Sequence, residues 1–172
     1  MIGRGLKRGK FSMAGWSDFF VAEVGASAAL AGLVIVAISI NLARIISYPG
    51  LPGRAAETLV APTGVLVVSS YMLVPGQPPA ALAAEIGAAG AVMWLMPMLI
   101  QLRTWRGEAG MPRRSLAMRF ALTQLSSLPI LAAAALLFHG DPGAVAWMVP
   151  GIVASLIATV INAWVLLVEI LR

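Results

Sequence analysis

The sequence contains no cysteine and only one histidine, His139. The lack of cysteine excludes disulfide bonds, thiolate metal sites and cysteine nucleophiles. A single histidine cannot form the histidine pair of a metalloprotease. Charged residues make up only 11% of the 172 residues, whereas a soluble domain usually has about a quarter. The chain therefore lacks most of the residues on which soluble enzymes depend.

Apolar residues are abundant instead: they make up 60% of the chain, and the mean hydropathy is +0.91. They form five long runs, at about 19–46, 58–74, 80–102, 117–138 and 143–171. A membrane-spanning helix needs roughly 20 mostly apolar residues, and continuous rather than alternating runs indicate helices rather than barrel strands. The sequence thus predicts one all-α transmembrane domain over residues 1–172, with five spans after an N-terminal tail, 1–18.

The arginines predict an orientation. Four lie in the connector between spans three and four, and Arg44 and Arg54 flank the first connector, whereas the second and fourth connectors have no lysine or arginine. Because cytoplasmic connectors are enriched in lysine and arginine, we expect the N-terminus outside and the C-terminus in the cytoplasm. The four arginines form a candidate cytoplasmic contact, either for a partner protein or for anionic lipid headgroups: Arg103, Arg106, Arg113 and Arg114.

The N-terminal tail disagrees with this orientation, because Arg4, Lys7, Arg8 and Lys10 would then lie outside. Three explanations are open. The tail is translocated despite its charge, translation starts at Met13, or the segment is a signal peptide. We favour the start at Met13, because the tail from Met13 to Phe20 has no cation and one anion and therefore suits export. The following apolar run is too long for a signal peptide and has no obvious cleavage site.

Polar residues inside the spans are the candidate functional positions, because each is costly in lipid unless it is satisfied. Asn41 and Asn162 are predicted to bond each other across spans one and five. Ser155, Thr159 and Asn162 lie on nearly the same side of span five, and this polar stripe offers hydrogen bonds through the thickness of the bilayer. The candidate positions are Glu23, Ser27 and Asn41 in span one, Glu85 in span three, Gln124 in span four, and Ser155, Thr159 and Asn162 in span five.

Glu23 and Asn41 are eighteen residues, or five helical turns, apart and therefore share one face of span one. A second face of span one also suits other helices better than lipid. It consists of Gly25, Ala29, Gly32 and Ser39, and small residues of this kind let helices approach closely. Since neither this face nor the face of Glu23 suits lipid, we predict that span one is the central helix of the bundle.

No catalytic pattern is present. The aspartates Asp18 and Asp141 lie outside the predicted spans, and the glycine-rich segment up to Lys10 has the wrong spacing for a phosphate-binding loop. The basic residues cluster beside the spans, which indicates topology rather than nucleic-acid binding. We therefore expect no enzymatic activity, no cofactor, no metal and no nucleic-acid partner.

Two functions fit what remains. The first is helix–helix interaction with a membrane partner or with another copy, for which small residues are suited. The alternative is an oligomeric small-cation or proton channel. Its acidic outer vestibule would contain Asp18, Glu23, Glu85 and Asp141, and polar residues would continue inward.

Part of the sequence resembles a group of small bacterial membrane proteins. The resemblance lies in Trp16 to Phe20, Gly25 to Gly32, Ser39 to Leu42 and Pro49 to Glu57. Some of those proteins are described as modulators of the FtsH membrane protease. The resemblance implies a multi-pass protein of the bacterial inner membrane whose role is contact with another membrane protein.

Overall fold

The structure is a computed structural model, which describes residues 15–107, 113–141 and 143–169. All regular structure in these residues is helical. A 3-10 turn, Ala144–Trp147, precedes the last helix, and a π-helical turn, Val165–Glu169, follows it. The helices are α1 (Ser17–Ile40), α2 (Leu42–Ser47), α3 (Leu51–Met72), α4 (Pro79–Gly107), α5 (Arg113–Phe138) and α6 (Met148–Trp164). Five helical stretches are long and apolar enough to cross a membrane, which confirms the all-α prediction.

Helices α3, α4, α5 and α6 form a closed four-helix ring, in which each helix packs against the next and α6 packs back onto α3. Helix α1 lies outside the ring, mainly against α3 and to a lesser extent against α6. We call one end of the bundle the predicted outer end, which holds the start of α1 and the α3–α4 and α5–α6 connections. The predicted inner end is the opposite one.

The apolar core has two parts. The larger part links the ring to the start of α1, because Phe20 is buried together with Met72, Ile86 and Met148. A smaller cluster near the predicted inner end joins α2 and α3 to the π-helical turn through Ile45, Ala55 and Leu166. Both parts are made of side chains from at least three segments. The first part therefore packs the start of α1 against the ring, and the second packs α2 against α3.

The prediction that span one is central was wrong. Only 17% of its most apolar window is buried, against 50% for the segment that contains α6. The prediction assumed that both lipid-unfriendly faces need partners within one chain. The face of Ser27 and Asn41 does pack against the bundle, and both residues are buried. Gly25 and Gly32, on the other face, have no non-neighbouring atom within 4 Å of the place where a Cβ would lie.

Several helix boundaries also differ from the prediction, most clearly the end of span one and the start of α3. Span one does not continue to residue 46, because Asn41 leaves helical geometry (φ −101°, ψ 11°) and its side-chain Nδ2 donates to the Ala37 carbonyl at 3.1 Å. A side chain bonded to the backbone in this way competes with the regular helix. Helix α3 begins at Leu51, seven residues before the predicted start, because Pro52 lies in the first turn, where its missing N–H costs no helical hydrogen bond.

Candidate functional site

The most polar buried group in the described residues is an ion pair between α3 and α5. A guanidinium nitrogen of Arg119, Nη2, donates to the carboxylate Oε2 of Glu57. Both residues are more than nine-tenths buried. An unpaired charge in the low dielectric of a helix bundle is strongly destabilising, whereas a paired and hydrogen-bonded one is tolerated. The pair therefore explains how two charged residues are kept inside a bundle of apolar helices.

Helix α4 completes this group. The side-chain Nε2 of Gln101 donates to the other carboxylate oxygen of Glu57 and also to the hydroxyl Oγ1 of Thr123 at 2.9 Å. The hydroxyl of Thr123 donates in turn to the backbone carbonyl of Arg119 at 3.1 Å. We call Glu57, Gln101, Arg119 and Thr123 the inner polar cluster. It connects α3, α4 and α5 through side chains alone.

The three helices bring these residues to one level of the bundle. Glu57 lies six residues after the start of α3, Arg119 six residues after the start of α5, and Gln101 six residues before the end of α4. At about 1.5 Å per residue, each is roughly 9 Å from its helix end. Because neighbouring helices run in opposite directions, these equal offsets place the three side chains opposite one another.

A small cavity of about 30 Å³ adjoins the inner polar cluster, a volume comparable to that of one water molecule. Asn162 of α6 lines it together with Thr123 and Ser126, and Met93 and Pro97 of α4 also belong to the lining. The hydroxyl of Ser126 is buried without a hydrogen-bond partner. Pro97 has no N–H to donate to the carbonyl of Met93. The cavity thus adds polar groups of α4, α5 and α6 to the cluster.

The predicted serine and threonine positions are buried, but they bond to their own helices. Ser27 donates to the carbonyl of Glu23 at 2.5 Å. Ser155 and Thr159 each donate at 2.8 Å, to the carbonyls of Gly151 and Ser155 respectively. These bonds lie four residues apart in the sequence and satisfy each hydroxyl locally. The predicted stripe on α6 is therefore a buried packing surface, and its hydroxyl protons are directed to its own backbone.

The predicted bond between the two asparagines does not form in the described part of the chain. Asn41 donates to Ala37 in its own helix, and Asn162 lies half-buried beside the small cavity. The prediction placed both residues near the predicted inner end, which the structure bears out. It did not predict that the inner polar cluster, rather than Asn41, would lie next to Asn162.

The two predicted carboxylates of the outer vestibule belong to helices on different sides of the bundle. Glu23 lies on α1, half-buried, and its Oε2 is buried without a hydrogen-bond partner. Glu85 lies on α4 and accepts a hydrogen bond from Nε2 of Gln77 at 2.8 Å. Helix α1 packs on α3 and α6, whereas α4 packs on α3 and α5. The two carboxylates are therefore in separate surroundings.

Gln124 connects two helices of the ring, because its Oε1 accepts a hydrogen bond from the indole Nε1 of Trp94 at 2.9 Å. Of the predicted cytoplasmic contact, Arg103, Arg106 and Arg114 are exposed at the predicted inner end. Arg113 begins α5, and its side chain lies outside the described part. These exposed arginines differ from Arg119, which turns into the bundle.

The outer face of α1 carries small residues over part of its length. Between Ala22 and Gly32, every exposed residue is alanine or glycine, whereas the exposed positions from Leu33 to Ile40 are mostly large. The small positions are Ala22, Gly25, Ala26, Ala28, Ala29 and Gly32. We call them the α1 small face.

None of the predicted positions belongs to the inner polar cluster. Glu57 precedes the predicted second span, which starts at residue 58, and Arg119 lies only two residues into the predicted fourth span, which starts at 117. The geometry of the cluster follows only from the helix ends that the structure gives, since a glutamate, a glutamine and an arginine then lie six residues from the ends of three consecutive antiparallel helices. An arginine inside a span requires an acceptor, and Glu57 is the acidic residue at the corresponding level of α3.

Comparison with known proteins gives no match: no protein-family model, no curated protein and no solved structure matches this chain. The resemblance to modulators of the FtsH protease thus stays a prediction.

Proposed function

We propose that this protein is a non-enzymatic membrane protein that acts through helix–helix association, and that the α1 small face contacts a second copy of the chain. The observation that carries this proposal is the absence of large side chains on that face, together with the open space beside Gly25 and Gly32. Several glycines of the ring helices are instead covered within the chain. In the ring, for example, Gly64 is covered by Met93.

Small residues favour close association in lipid because they let two helix backbones approach and make many van der Waals contacts. The α1 small face extends over eleven residues, from Ala22 to Gly32, which is about 15 Å of helix. It contains the spacings Gly25 to Ala29 and Ala28 to Gly32, each four residues apart. A face of this kind is self-complementary when two copies are related by a twofold axis.

Disulfide crosslinking tests the proposal cleanly, because the natural chain has no cysteine. Ala29→Cys places one thiol at the centre of the α1 small face. Ile157→Cys, at a position on α6 that is 52% exposed, is the matched control on another surface. In native membranes at native amounts, Ala29→Cys is expected to form a disulfide-linked dimer and Ile157→Cys is not. Equal dimer yields, or only monomer from both variants, would contradict the proposal.

A second experiment separates association from folding. Gly25→Leu and Gly32→Leu fill the α1 small face, and neither side chain meets another part of the chain within 4 Å of its Cβ. We expect both variants to fold and to lose the crosslink from Ala29→Cys. Crosslinking to a product that is not a dimer of this chain would instead identify a different membrane partner.

We also propose that the protein lies in the bacterial inner membrane with its N-terminus outside and its C-terminus in the cytoplasm. The distribution of exposed arginines supports this orientation, since Arg44, Arg103, Arg106 and Arg114 all lie near the same end of the bundle. Reporter fusions at Gln77, Glu108, Asp141 and Arg172 test it. A cytoplasmic signal from Gln77 or Asp141 would overturn the orientation.

The alternative function, an oligomeric cation or proton pathway, stays a prediction without a supporting observation. Its predicted hydroxyls donate to their own helices, and Glu23 and Glu85 lie on helices with different neighbours. Flux into proteoliposomes is the direct test, with Glu23→Gln and Glu85→Gln as variants. The pathway requires a cation current in the wild type that both variants reduce.

A further inference from the structure

A groove runs along the surface between α3 and α4, with a volume of about 800 Å³. This is within the range of about 300–1,000 Å³ that is usual for small-molecule sites. Along α3 it extends from Ala56 to Tyr71, and along α4 from Ala84 to Met96. The sixteen residues of α3 from Ala56 to Tyr71 span about 22 Å of helix, so the groove follows most of one face of the bundle.

The sequence creates this groove by placing small residues where two helices pack. On α4, Ala84, Ala88 and Ala89 line it and leave room that larger side chains would fill. Gly64 of α3 lies opposite the side chain of Met93, and these two buried residues are part of the lining. Val92 and Met96 are exposed beside it. The groove is thus apolar along its length and opens on the surface that faces the bilayer.

Its predicted outer end is different, because it contains the carboxylate of Glu85 and the ring of Tyr71. Glu85 accepts a hydrogen bond from the uncharged side-chain amide of Gln77. Within the described residues, no lysine, arginine or histidine forms an ion pair with Glu85. Thr63 is the other polar residue of the lining. The groove therefore combines an apolar channel with one negative charge and one aromatic ring at a single end.

We propose that this groove binds a membrane lipid whose headgroup carries an ammonium ion. The acyl chain lies along Gly64 and Met93, and the ammonium contacts Glu85 and the face of Tyr71. A carboxylate attracts a cation, and an aromatic face adds a cation–π attraction for ammonium groups. A lipid with a purely anionic headgroup would instead be repelled by Glu85.

The position of Glu85 agrees with this assignment. It lies six residues after the start of α4 at Pro79, or about 9 Å along the helix. Each headgroup region of a bilayer is roughly 5–8 Å thick. The carboxylate is thus close to the boundary between headgroups and hydrocarbon, and the rest of the groove continues toward the bilayer centre.

Native mass spectrometry of the purified full chain, reconstituted with defined lipids, tests the proposal. Phosphatidylethanolamine, phosphatidylcholine and phosphatidylglycerol with the same acyl chains are supplied in equal amounts. The first two carry an ammonium group and the third does not. One partly exposed charge contact is worth up to about 1 kcal/mol, or roughly fivefold in occupancy. We therefore expect the two ammonium lipids to be retained about fivefold more than phosphatidylglycerol.

Two variants assign the effect to the groove. Glu85→Gln keeps the shape of the side chain but removes its charge, and it is expected to bring the retention ratio close to one. Ala88→Trp fills the groove and is expected to reduce retention of all three lipids. Leu128→Trp, at an exposed position on α5, is the matched control and should leave retention unchanged.

Equal retention of the three lipids by the wild type would overturn the proposal, as would an unchanged ratio in Glu85→Gln. Thermal unfolding of each variant in the same micelles shows whether it is folded. If Ala88→Trp does not fold, the Glu85→Gln ratio still decides between the outcomes, because that substitution preserves volume and leaves an oxygen to accept from Gln77.

Discussion

Long polar side chains of α3, α4 and α5 bond across helices, whereas the buried hydroxyls of α1 and α6 and the amide of Asn41 bond to their own backbones in the part of the chain that the structure describes. The inner polar cluster and the Trp94–Gln124 bond join three neighbouring helices. Ser27, Asn41, Ser155 and Thr159 instead donate to carbonyls four residues earlier. Burial alone therefore does not show whether a polar residue holds two helices together.

This difference has a physical basis. A serine or threonine side chain is short, and its hydroxyl can donate to the carbonyl four residues earlier. It therefore needs no hydrogen-bond partner on another helix. Glutamate, glutamine and arginine have longer side chains and carry charges or several donors that their own helix cannot satisfy. We infer that α3, α4 and α5 are held in a specific register by polar contacts, while α1 and α6 are held mainly by apolar packing.

The largest effect is expected from breaking the ion pair on one side only. Arg119→Leu leaves the carboxylate of Glu57 buried without its cation, which should lower the free energy of unfolding by about 3–5 kcal/mol. The double variant Glu57→Leu/Arg119→Leu removes both charges and should recover much of this loss. Unfolding by denaturing detergent in micelles measures both. Arg114→Leu, at an exposed arginine, is the control, and a loss equal to that of Arg119→Leu would contradict the role of the pair.

Gly64→Ala probes the apolar packing between α3 and α4. Its new Cβ would lie 2.3 Å from both Cγ and Sδ of Met93, so the methionine must move. We expect a loss of about 1–3 kcal/mol in the free energy of unfolding, partly recovered by Met93→Ala. Gly25→Ala on α1 is the matched control, because its Cβ meets open space. The same loss at both glycines would show that the packing of the ring is not the cause.

Gln124→Leu removes the one polar link between α4 and α5 that lies outside the inner polar cluster in the described residues. Interhelical hydrogen bonds in membrane proteins contribute about 0.6 kcal/mol on average, so we expect a loss of about that size. A double-mutant cycle with Trp94→Phe measures the coupling. Additive losses from the two substitutions would show that the Trp94–Gln124 bond does not stabilise the bundle.

Ser155→Ala should have the smallest effect, although Ser155 is fully buried. Its hydroxyl donates within α6, and alanine fills nearly the same space without leaving a buried donor. We expect a change of less than about 0.5 kcal/mol in the free energy of unfolding. A loss larger than that of Gln124→Leu would mean that the hydroxyls of α6 do contact other helices. It would contradict the contrast between long polar side chains that bond across helices and short ones that bond to their own backbone.

The sequence predicts the number of spanning helices well, because an apolar run of about 20 residues has few other uses. It predicts the helix ends less well where proline and glycine occur. Pro49, Pro52 and Gly53 resemble a connector, but Pro52 and Gly53 lie in the first turn of α3. A proline in a first turn and a proline in a loop have the same local sequence, and the difference depends on how the chain leaves Gly50, whose φ is 87°.

The candidate site was only partly predictable. The inward direction of Ser27 and Asn41 follows from helical spacing, and the structure confirms it. The partners of Glu57 do not follow from spacing, since Gln101 and Arg119 are 44 and 62 residues away in the sequence. Which helices become neighbours depends on the packing of the whole bundle. For the same reason, sequence spacing identified both faces of α1 but could not decide which one turns to the ring.

The distance in sequence between Glu57 and Arg119 also has a consequence for biosynthesis. The ribosome completes α3 well before α5, so the carboxylate enters the membrane region before its cation has been translated. With the orientation proposed above, Glu57, about two turns from the start of α3, can remain near the cytoplasmic headgroups until then, where water still solvates it. Because Arg119 follows on α5, the ion pair that joins α3 to α5 can form only after most of the chain has been made.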